Sequence, residues 1–198
     1  MEFDPDAINS ASENGQVSSL KWYLKSGYFQ VYNEGVMDSA SGNGQIKCLN
    51  WFLGSGLNPK YSSKAMNNAS SLGRIKSLDW WLKSGLELKY DSKAMNNASW
   101  LGRIKSLNWW LKSGLELKYD SEAIDKAMTS GKHNVIGWWL KSGLEIKCTS
   151  NIAEWAAQKG YLEILQLYKN LGLDFDKKKL MEIAQENIQL RVLHWLQK

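Results

Sequence analysis

Apolar and small residues recur along the chain with a period of 29 residues. The clearest column is aromatic and consists of Trp22, Trp51, Trp80, Trp109 and Trp138. Leu167 and Trp195 continue the column, and eleven residues before each of the seven positions lies an alanine, at Ala11, Ala40, Ala69, Ala98, Ala127, Ala156 and Ala184. Self-similarity at such a period is typical of repeat proteins. The pattern predicts one domain over residues 1–198 with seven repeats, near 6–30, 31–59, 60–88, 89–117, 118–146, 147–175 and 176–198.

Each repeat is predicted to form two short helices. In the third repeat Ser62 or Ser63 is a candidate N-cap, and Gly73 and Gly85 can end the helices because glycine adopts a positive φ. The predicted buried faces contain Ala65, Met66 and Ala69 in the first helix and Ile75, Leu78 and Leu82 in the second. The linker alternates apolar and polar residues, which favours an extended segment with its leucines inward. Helices this short require stacking on neighbouring repeats.

Residues 69–85 read Ala-Ser-Ser-Leu-Gly-Arg-Ile-Lys-Ser-Leu-Asp-Trp-Trp-Leu-Lys-Ser-Gly. This stretch resembles the ankyrin core AA-x-x-GH-x-x-VV-x-LL-x-x-G, and Trp-Trp-Leu-Lys-Ser-Gly-Leu resembles repeats common in amoebal giant viruses and fungi. Asn67 stands where the family usually has histidine, and the period is about four residues shorter than that of the family. The resemblance implies an all-α, ankyrin-like solenoid of seven two-helix repeats with shortened linkers. It also implies a non-catalytic scaffold that binds a partner protein through its concave face and linkers.

Composition limits where the chain is expected to act. The sequence is 43% hydrophobic and 23% charged, as in ordinary globular proteins. Because it contains neither an apolar run of about 18 residues nor a signal-peptide pattern, we expect a cytoplasmic protein without a membrane partner. If the chain is viral, that cytoplasm is the host cell's. Cys48 and Cys148 lie far apart without metal-ligand spacing, so we expect two unpaired thiols.

Few residues are available for catalysis. His133 and His194 are the only histidines, and both are expected to be partly buried structural residues. Neither combines with a nucleophile, a phosphate-binding loop or a metal-ligand cluster in the sequence. We therefore predict no enzyme activity, no catalytic or metal site and no cofactor.

Two neighbouring tryptophan columns receive different interpretations. The Trp81 column is predicted to lie in the core because it flanks the apolar face of the second helix. Its members are Tyr23, Phe52, Trp81, Trp110, Trp139 and Tyr168. The Trp80 column points nearly the opposite way, with Ser77 expected to be exposed beside it. We interpret the Trp80 column as a structural ladder along the convex side, with a convex contact surface as the alternative.

The third and fourth repeats provide the best indication of a binding site. Residues 60–88 and 89–117 are identical at 26 of 29 positions, and the differences are Ser62/Asp91, Ser71/Trp100 and Asp79/Asn108. A tryptophan at a position expected to be polar and exposed has no packing requirement in the sister repeat. The predicted partner-binding residues are therefore Trp100, Leu72, Leu101, Tyr61, Tyr90, Tyr119 and Asp91. The alternative is that Trp100 folds onto its own linker or the next repeat.

The net charge of +5 is concentrated in the middle repeats. Basic columns there contain Arg74, Arg103 and Lys132, then Lys76 and Lys105, then Lys83, Lys112 and Lys141. Solvated helix faces are the simplest interpretation, because acidic residues are interleaved with these columns. The alternatives are an anion- or nucleic-acid-binding solenoid and a structural, self-associating protein. We expect a monomer with a protein partner whose identity the sequence does not give, and no nucleic-acid partner.

Overall fold

The computed structural model describes residues 5–27 and 32–198, and this part of the chain forms fourteen α-helices. The helices are α1 (Pro5–Glu13), α2 (Val17–Lys25), α3 (Gly35–Asn43), α4 (Ile46–Gly54), α5 (Lys64–Ser71), α6 (Ile75–Lys83), α7 (Lys93–Trp100), α8 (Ile104–Lys112), α9 (Glu122–Thr129), α10 (His133–Lys141), α11 (Ile152–Lys159), α12 (Leu162–Asn170), α13 (Lys177–Glu186) and α14 (Leu190–Gln197). One helix pair lies within each predicted repeat, apart from the first residue of α1. The predicted boundary between the first and second repeats, at 30 and 31, lies outside the described residues.

The helices form two compact units, Met1–Tyr119 with α1 to α8 and Asp120–Lys198 with α9 to α14. In the first unit, α1, α3, α5 and α7 pack in order as a first-helix layer, and α2, α4, α6 and α8 pack in order as a second-helix layer. In the second unit, α11 packs on α13, and α12 contacts both α10 and α14. The all-α class and the two-helix repeat are confirmed. The prediction that the whole chain is one domain stays a prediction.

Left-handed residues separate the helices, as the glycine columns predicted. Gly73 has a φ of +71° after α5, and Gly85 has a φ of +74° after α6. In the last repeat Ile188 occupies the inter-helix position with a φ of +57°. A β-branched side chain is unfavourable in this conformation because its Cβ crowds the backbone.

The core is built around the Trp81 column, and its predicted burial is confirmed for Phe52, Trp81, Trp110 and Trp139. The other two members, Tyr23 and Tyr168, are half-buried. In the predicted second-helix core face Leu78 is buried, as expected, but the placement of Leu82 and Ser77 was wrong, because Leu82 is 41% exposed and Ser77 is fully buried. Ser77 Oγ donates a hydrogen bond of 2.8 Å to Ser41 O in the preceding repeat. The serine is therefore buried at the contact between helices, and the leucine lies toward solvent.

Buried serines also fix the register between neighbouring repeats. Ser70 Oγ donates to Ala94 O at 2.6 Å and accepts a hydrogen bond from Trp110 Nε1 at 2.8 Å. Ser41 makes the equivalent bonds to Ala65 O and Trp81 Nε1, at 2.6 and 2.7 Å. The buried indole N–H groups of Trp81 and Trp110 thus each have an acceptor in the repeat before, as a buried donor requires.

The prediction for the cysteines is confirmed, whereas that for the histidines was wrong. Cys48 and Cys148 are free thiols, which confirms the prediction that they do not pair. Both histidines are exposed, so the expectation of partial burial was wrong. The His133 ring lies on the Tyr161 ring at a centroid distance of 4.8 Å, which keeps it at the surface beside the next repeat.

Candidate partner-binding surface

Trp100 lies at the end of the first helix of the fourth repeat, with its side chain at the surface. It is the last residue of α7 and is 46% exposed. Leu72, which follows α5 in the adjacent repeat, is 43% exposed. Leu101 follows Trp100 and is half-buried. We call Trp100, Leu101 and Leu72 the Trp100 patch, since all three lie at the carboxyl ends of two neighbouring first helices.

Ser71, the counterpart of Trp100 in the third repeat, is only 7% exposed. The expectation that this position is open in both repeats was therefore wrong for Ser71. Its hydroxyl donates to Asn67 O within α5 at 2.7 Å, and Arg103 Nε donates to Ser71 O from the next repeat at 3.2 Å. A small residue is covered at this site, whereas the larger Trp100 extends into solvent.

The predicted linker tyrosines pack mainly against the protein itself. Tyr61 is buried, and its ring contacts the Trp81 ring at a centroid distance of 4.7 Å. Its hydroxyl donates to Glu87 O at 3.0 Å, while Lys89 Nζ lies 4.8 Å from the ring centroid. Burial raises the pKa of the Tyr61 phenol. Tyr61 therefore connects successive linkers and presents little surface to a partner.

Tyr90 and Tyr119 are both half-buried. Tyr90 repeats the Tyr61 arrangement one repeat later, with its hydroxyl 3.1 Å from Glu116 O and its ring 4.8 Å from that of Trp110. The tyrosine column is thus chiefly a packing feature of the linkers.

Asp91 joins the fourth repeat to the third. Its Oδ1 accepts a hydrogen bond from Asn67 Nδ2 at 2.9 Å, and its Oδ2 accepts one from Ser63 Oγ at 3.2 Å. The same carboxylate accepts from Lys93 N at 2.9 Å, beside the start of α7. These bonds give Asp91 a structural role that its position in a linker did not indicate.

In the Trp80 column, Trp80 and Trp109 link neighbouring repeats as the ladder interpretation expects, whereas Trp22 is 58% exposed. Trp80 Nε1 donates to Asn50 Oδ1 at 2.6 Å, and Trp109 Nε1 donates to Asp79 Oδ1 at 2.7 Å. Each ring also meets the next ring along its own helix edge to face, with Trp80 and Trp81 at 89°. The hydrogen bonds tie the second helices of adjacent repeats together.

One of the basic columns also has a structural role. Arg74 Nε donates to Gly42 O at 3.4 Å, and Arg103 Nε donates to Ser71 O. Both acceptors lie near the carboxyl ends of first helices, where unpaired carbonyls attract cations. Each of these arginines therefore caps the first helix of the preceding repeat by a hydrogen bond to a carbonyl near its carboxyl end.

A groove of about 700 Å³ on the first helices of the second unit was missed by the sequence analysis. Trp155, Met128 and Ile183 line it, together with Glu154 and Glu186. The sequence contains a signal for this groove, because Trp155 stands at a repeat position that is polar in the four preceding repeats. The residues there are Ser39, Asn68, Asn97 and Lys126. The difference between the two nearly identical repeats, on which the site prediction depends, does not involve this column. Trp155 is half-buried and contacts the Tyr161 ring at 5.0 Å.

Comparison with known structures identifies the arrangement of helices. The crystal structure of the human ASB11 ankyrin repeat domain matches with a TM-score of 0.70, over 96% of this chain and 96% of that chain. The fold is that of an ankyrin repeat protein. The two sequences are 14% identical, so the likeness concerns the fold alone. Neither a protein-family model nor a curated protein matches the sequence.

The ankyrin repeat fold generally mediates contacts with other proteins. The similarity of this chain to viral and fungal repeats stays a prediction. In residues 5–27 and 32–198 no helix is long and apolar enough to cross a membrane.

Proposed function

We propose that this ankyrin-repeat chain binds a partner protein through the first-helix layer, with the Trp100 patch as its main contact. Ankyrin-type stacks offer an extended concave surface on this side. Large aromatic side chains near the centre of an interface contribute a disproportionate share of binding energy. An exposed tryptophan flanked by two leucines is a suitable anchor for a complementary pocket.

The main support for the proposal is that the three positions at which the third and fourth repeats differ have different surroundings in the structure. Asp91 and Asp79 each make hydrogen bonds to a neighbouring repeat. Trp100 instead leaves 46% of its surface exposed at a position where the sister repeat has a small, covered serine. The proposal excludes Tyr61 and Asp91 as principal contacts, since both are engaged within the protein. In the second unit, the groove around Trp155 is the corresponding candidate.

The test is to identify a partner by pull-down and then to titrate the purified partner with wild type and Trp100→Ser. We expect the affinity of Trp100→Ser to fall by about 2 kcal/mol or more, roughly 30-fold. Trp22→Ser is the matched control, because Trp22 is 58% exposed but lies on α2 in the other layer. Equal affinity of wild type and Trp100→Ser would remove Trp100 from the interface.

A further inference from the structure

Positive charge in the first compact unit is concentrated on one layer of helices. The second-helix layer, α2, α4, α6 and α8, carries seven lysines and one acidic residue, Asp79. The first-helix layer, α1, α3, α5 and α7, carries two lysines and three acidic residues. The excess charge therefore has a definite side, opposite to the Trp100 patch.

Four lysines on this side have no acidic partner among the residues that the structure describes. Lys76, Lys83, Lys105 and Lys112 are exposed, and none forms an ion pair within the described chain. Asp79 keeps its negative charge on this layer, where it accepts the indole hydrogen bond of Trp109, so the lysines outnumber it seven to one. Linker lysines differ, because Lys89 lies 3.8 Å from a carboxylate oxygen of Glu87.

Exposed leucines lie among these lysines in the same register. Leu53, Leu82 and Leu111 are 44%, 41% and 39% exposed, and each belongs to a successive second helix. Between α6 and α8 the surface forms a groove of about 490 Å³. Ile75, Leu82 and Trp109 give this groove an apolar lining, and two lysines, Lys105 and Lys112, and one acid, Asp79, also line it. We call Leu53, Leu82 and Leu111, with Lys76, Lys83, Lys105 and Lys112, the lysine–leucine face.

We propose that the lysine–leucine face binds an acidic segment of a partner protein that carries apolar side chains. Carboxylates would meet the unpaired ammonium groups, and apolar side chains would cover the leucines. Adjacent helices pack about 8–10 Å apart, and residues seven apart on a bound helix rise about 10.5 Å. An acidic helix with a leucine at every seventh position therefore fits the spacing of the exposed leucines.

The leucines decide between this partner and a simple polyanion. Phosphates need only the lysines, and sequence-tolerant nucleic-acid binding adds bases stacked on accessible aromatic rings. Here Trp80 and Trp109 are half-buried, and their indole N–H groups are bonded to the preceding repeat. On α4, α6 and α8 the exposed large apolar side chains are the aliphatic Leu53, Leu82 and Leu111, whereas the exposed Trp22 lies on α2 outside this face. This favours an acidic amphipathic segment over a nucleic acid.

The experiment uses the full chain and a labelled peptide of about 20 residues, rich in glutamate with leucine at every seventh position. Fluorescence anisotropy compares wild type with a Lys76→Gln, Lys83→Gln, Lys105→Gln, Lys112→Gln variant. The matched control changes four exposed lysines elsewhere to glutamine, namely Lys64, Lys93, Lys159 and Lys178. We expect the face variant to bind at least about ten-fold more weakly, and the control to change by less than about two-fold.

A second arm tests the apolar part with Leu82→Ser, Leu111→Ser and with polyglutamate, oligothymidine and phosphatidylserine vesicles as alternative probes. We expect this variant to bind the leucine-containing peptide about five-fold more weakly and to bind polyglutamate unchanged. Trp100→Ser should bind the peptide like wild type, which separates this surface from the Trp100 patch. The proposal is overturned if the peptide does not bind wild type, if both lysine variants weaken equally, or if any alternative probe binds as tightly as the peptide.

Discussion

The third and fourth repeats have nearly the same sequence, yet their differing residues face different neighbours. Ser62 faces the preceding repeat at Asp38, to which it donates through its backbone N–H at 2.9 Å and through its hydroxyl. One repeat later Asp91 faces Asn67, which donates to it. The Ser62 hydroxyl can donate a hydrogen bond to the Asp38 carboxylate, and the Asp91 carboxylate can accept one from the Asn67 amide. The residue type at this position therefore matches the hydrogen-bonding group that faces it from the preceding repeat.

The same comparison separates Trp100 from the other two substitutions. Trp80 of the third repeat donates to Asn50, and Trp109 of the fourth donates to Asp79, so an amide or a carboxylate oxygen serves equally as acceptor. No such exchange of partners accounts for Trp100 in place of Ser71. The difference between two nearly identical repeats thus points to a surface feature at one position only.

We expect the largest loss of stability when the hydrogen bonds between the third and fourth repeats are removed. Ser70→Ala should lower the free energy of unfolding by about 2–4 kcal/mol, because it leaves Trp110 Nε1 without its acceptor and Ala94 O without its donor. Urea titration measures the loss. Ser71→Ala is the control, since Ser71 Oγ bonds only within its own helix, and it should cost about 1 kcal/mol or less. Equal losses for both variants would contradict the assigned role of Ser70.

The rule of complementary groups is tested by giving the third repeat the residue of the fourth. Ser62→Asp should destabilise the protein by about 2 kcal/mol, because it places a second carboxylate against the buried Asp38. Adding Asp38→Asn should restore most of the stability, since the new amide can donate to the new carboxylate as Asn67 does to Asp91. The measurement is a double-mutant cycle from urea titrations. Additive losses in the double variant would refute the rule.

Asp38→Asn alone should change the free energy of unfolding by a smaller amount, and this change should depend on pH. Burial raises the pKa of the Asp38 carboxyl, although hydrogen bonds from Ser62 oppose the shift. The folded state therefore holds this proton more tightly than the unfolded state, and the stability that protonation gives is lost as the pH rises through the raised pKa. At neutral pH the variant should match or exceed wild type by less than about 1 kcal/mol. Thermal melts at several pH values should show this advantage shrinking toward pH ~4, near the ordinary pKa of aspartate. An advantage that grows on acidification would reverse the assigned sign.

Much of the fold could be predicted because it is encoded within each repeat. The alanine and glycine columns mark close packing and helix ends by residue type alone, and Gly73 and Gly85 have the positive φ values that this predicts. Ser77 and Leu82 were misplaced for a physical reason. The acceptor of Ser77 Oγ is a backbone carbonyl in the preceding repeat, which the sequence of its own helix does not reveal.

The exposure of the predicted partner-binding residues was harder to predict than the helices, because exposure depends on contacts between repeats. Tyr61 and Asp91 were expected to meet a partner, but their hydrogen bonds reach residues 26 and 24 positions away. A signal for such contacts exists in the sequence. Ser41 with Trp81 and Ser70 with Trp110 recur at a separation of 40 residues, so pairs compared across repeats could have identified the buried contacts.

The smallest expected effect on stability is that of Trp100→Ser. This substitution gives the fourth repeat the residue of the third, and it removes a side chain that is 46% exposed at the end of α7. The free energy of unfolding should therefore change by less than about 1 kcal/mol. Trp110→Ser is the matched control within the same repeat, since Trp110 is 1% exposed and its loss should cost about 3–5 kcal/mol. Thermal melts of both variants make the comparison directly. A drop for Trp100→Ser as large as that for Trp110→Ser would assign Trp100 to the core, whereas a small drop leaves its exposed ring available for a partner.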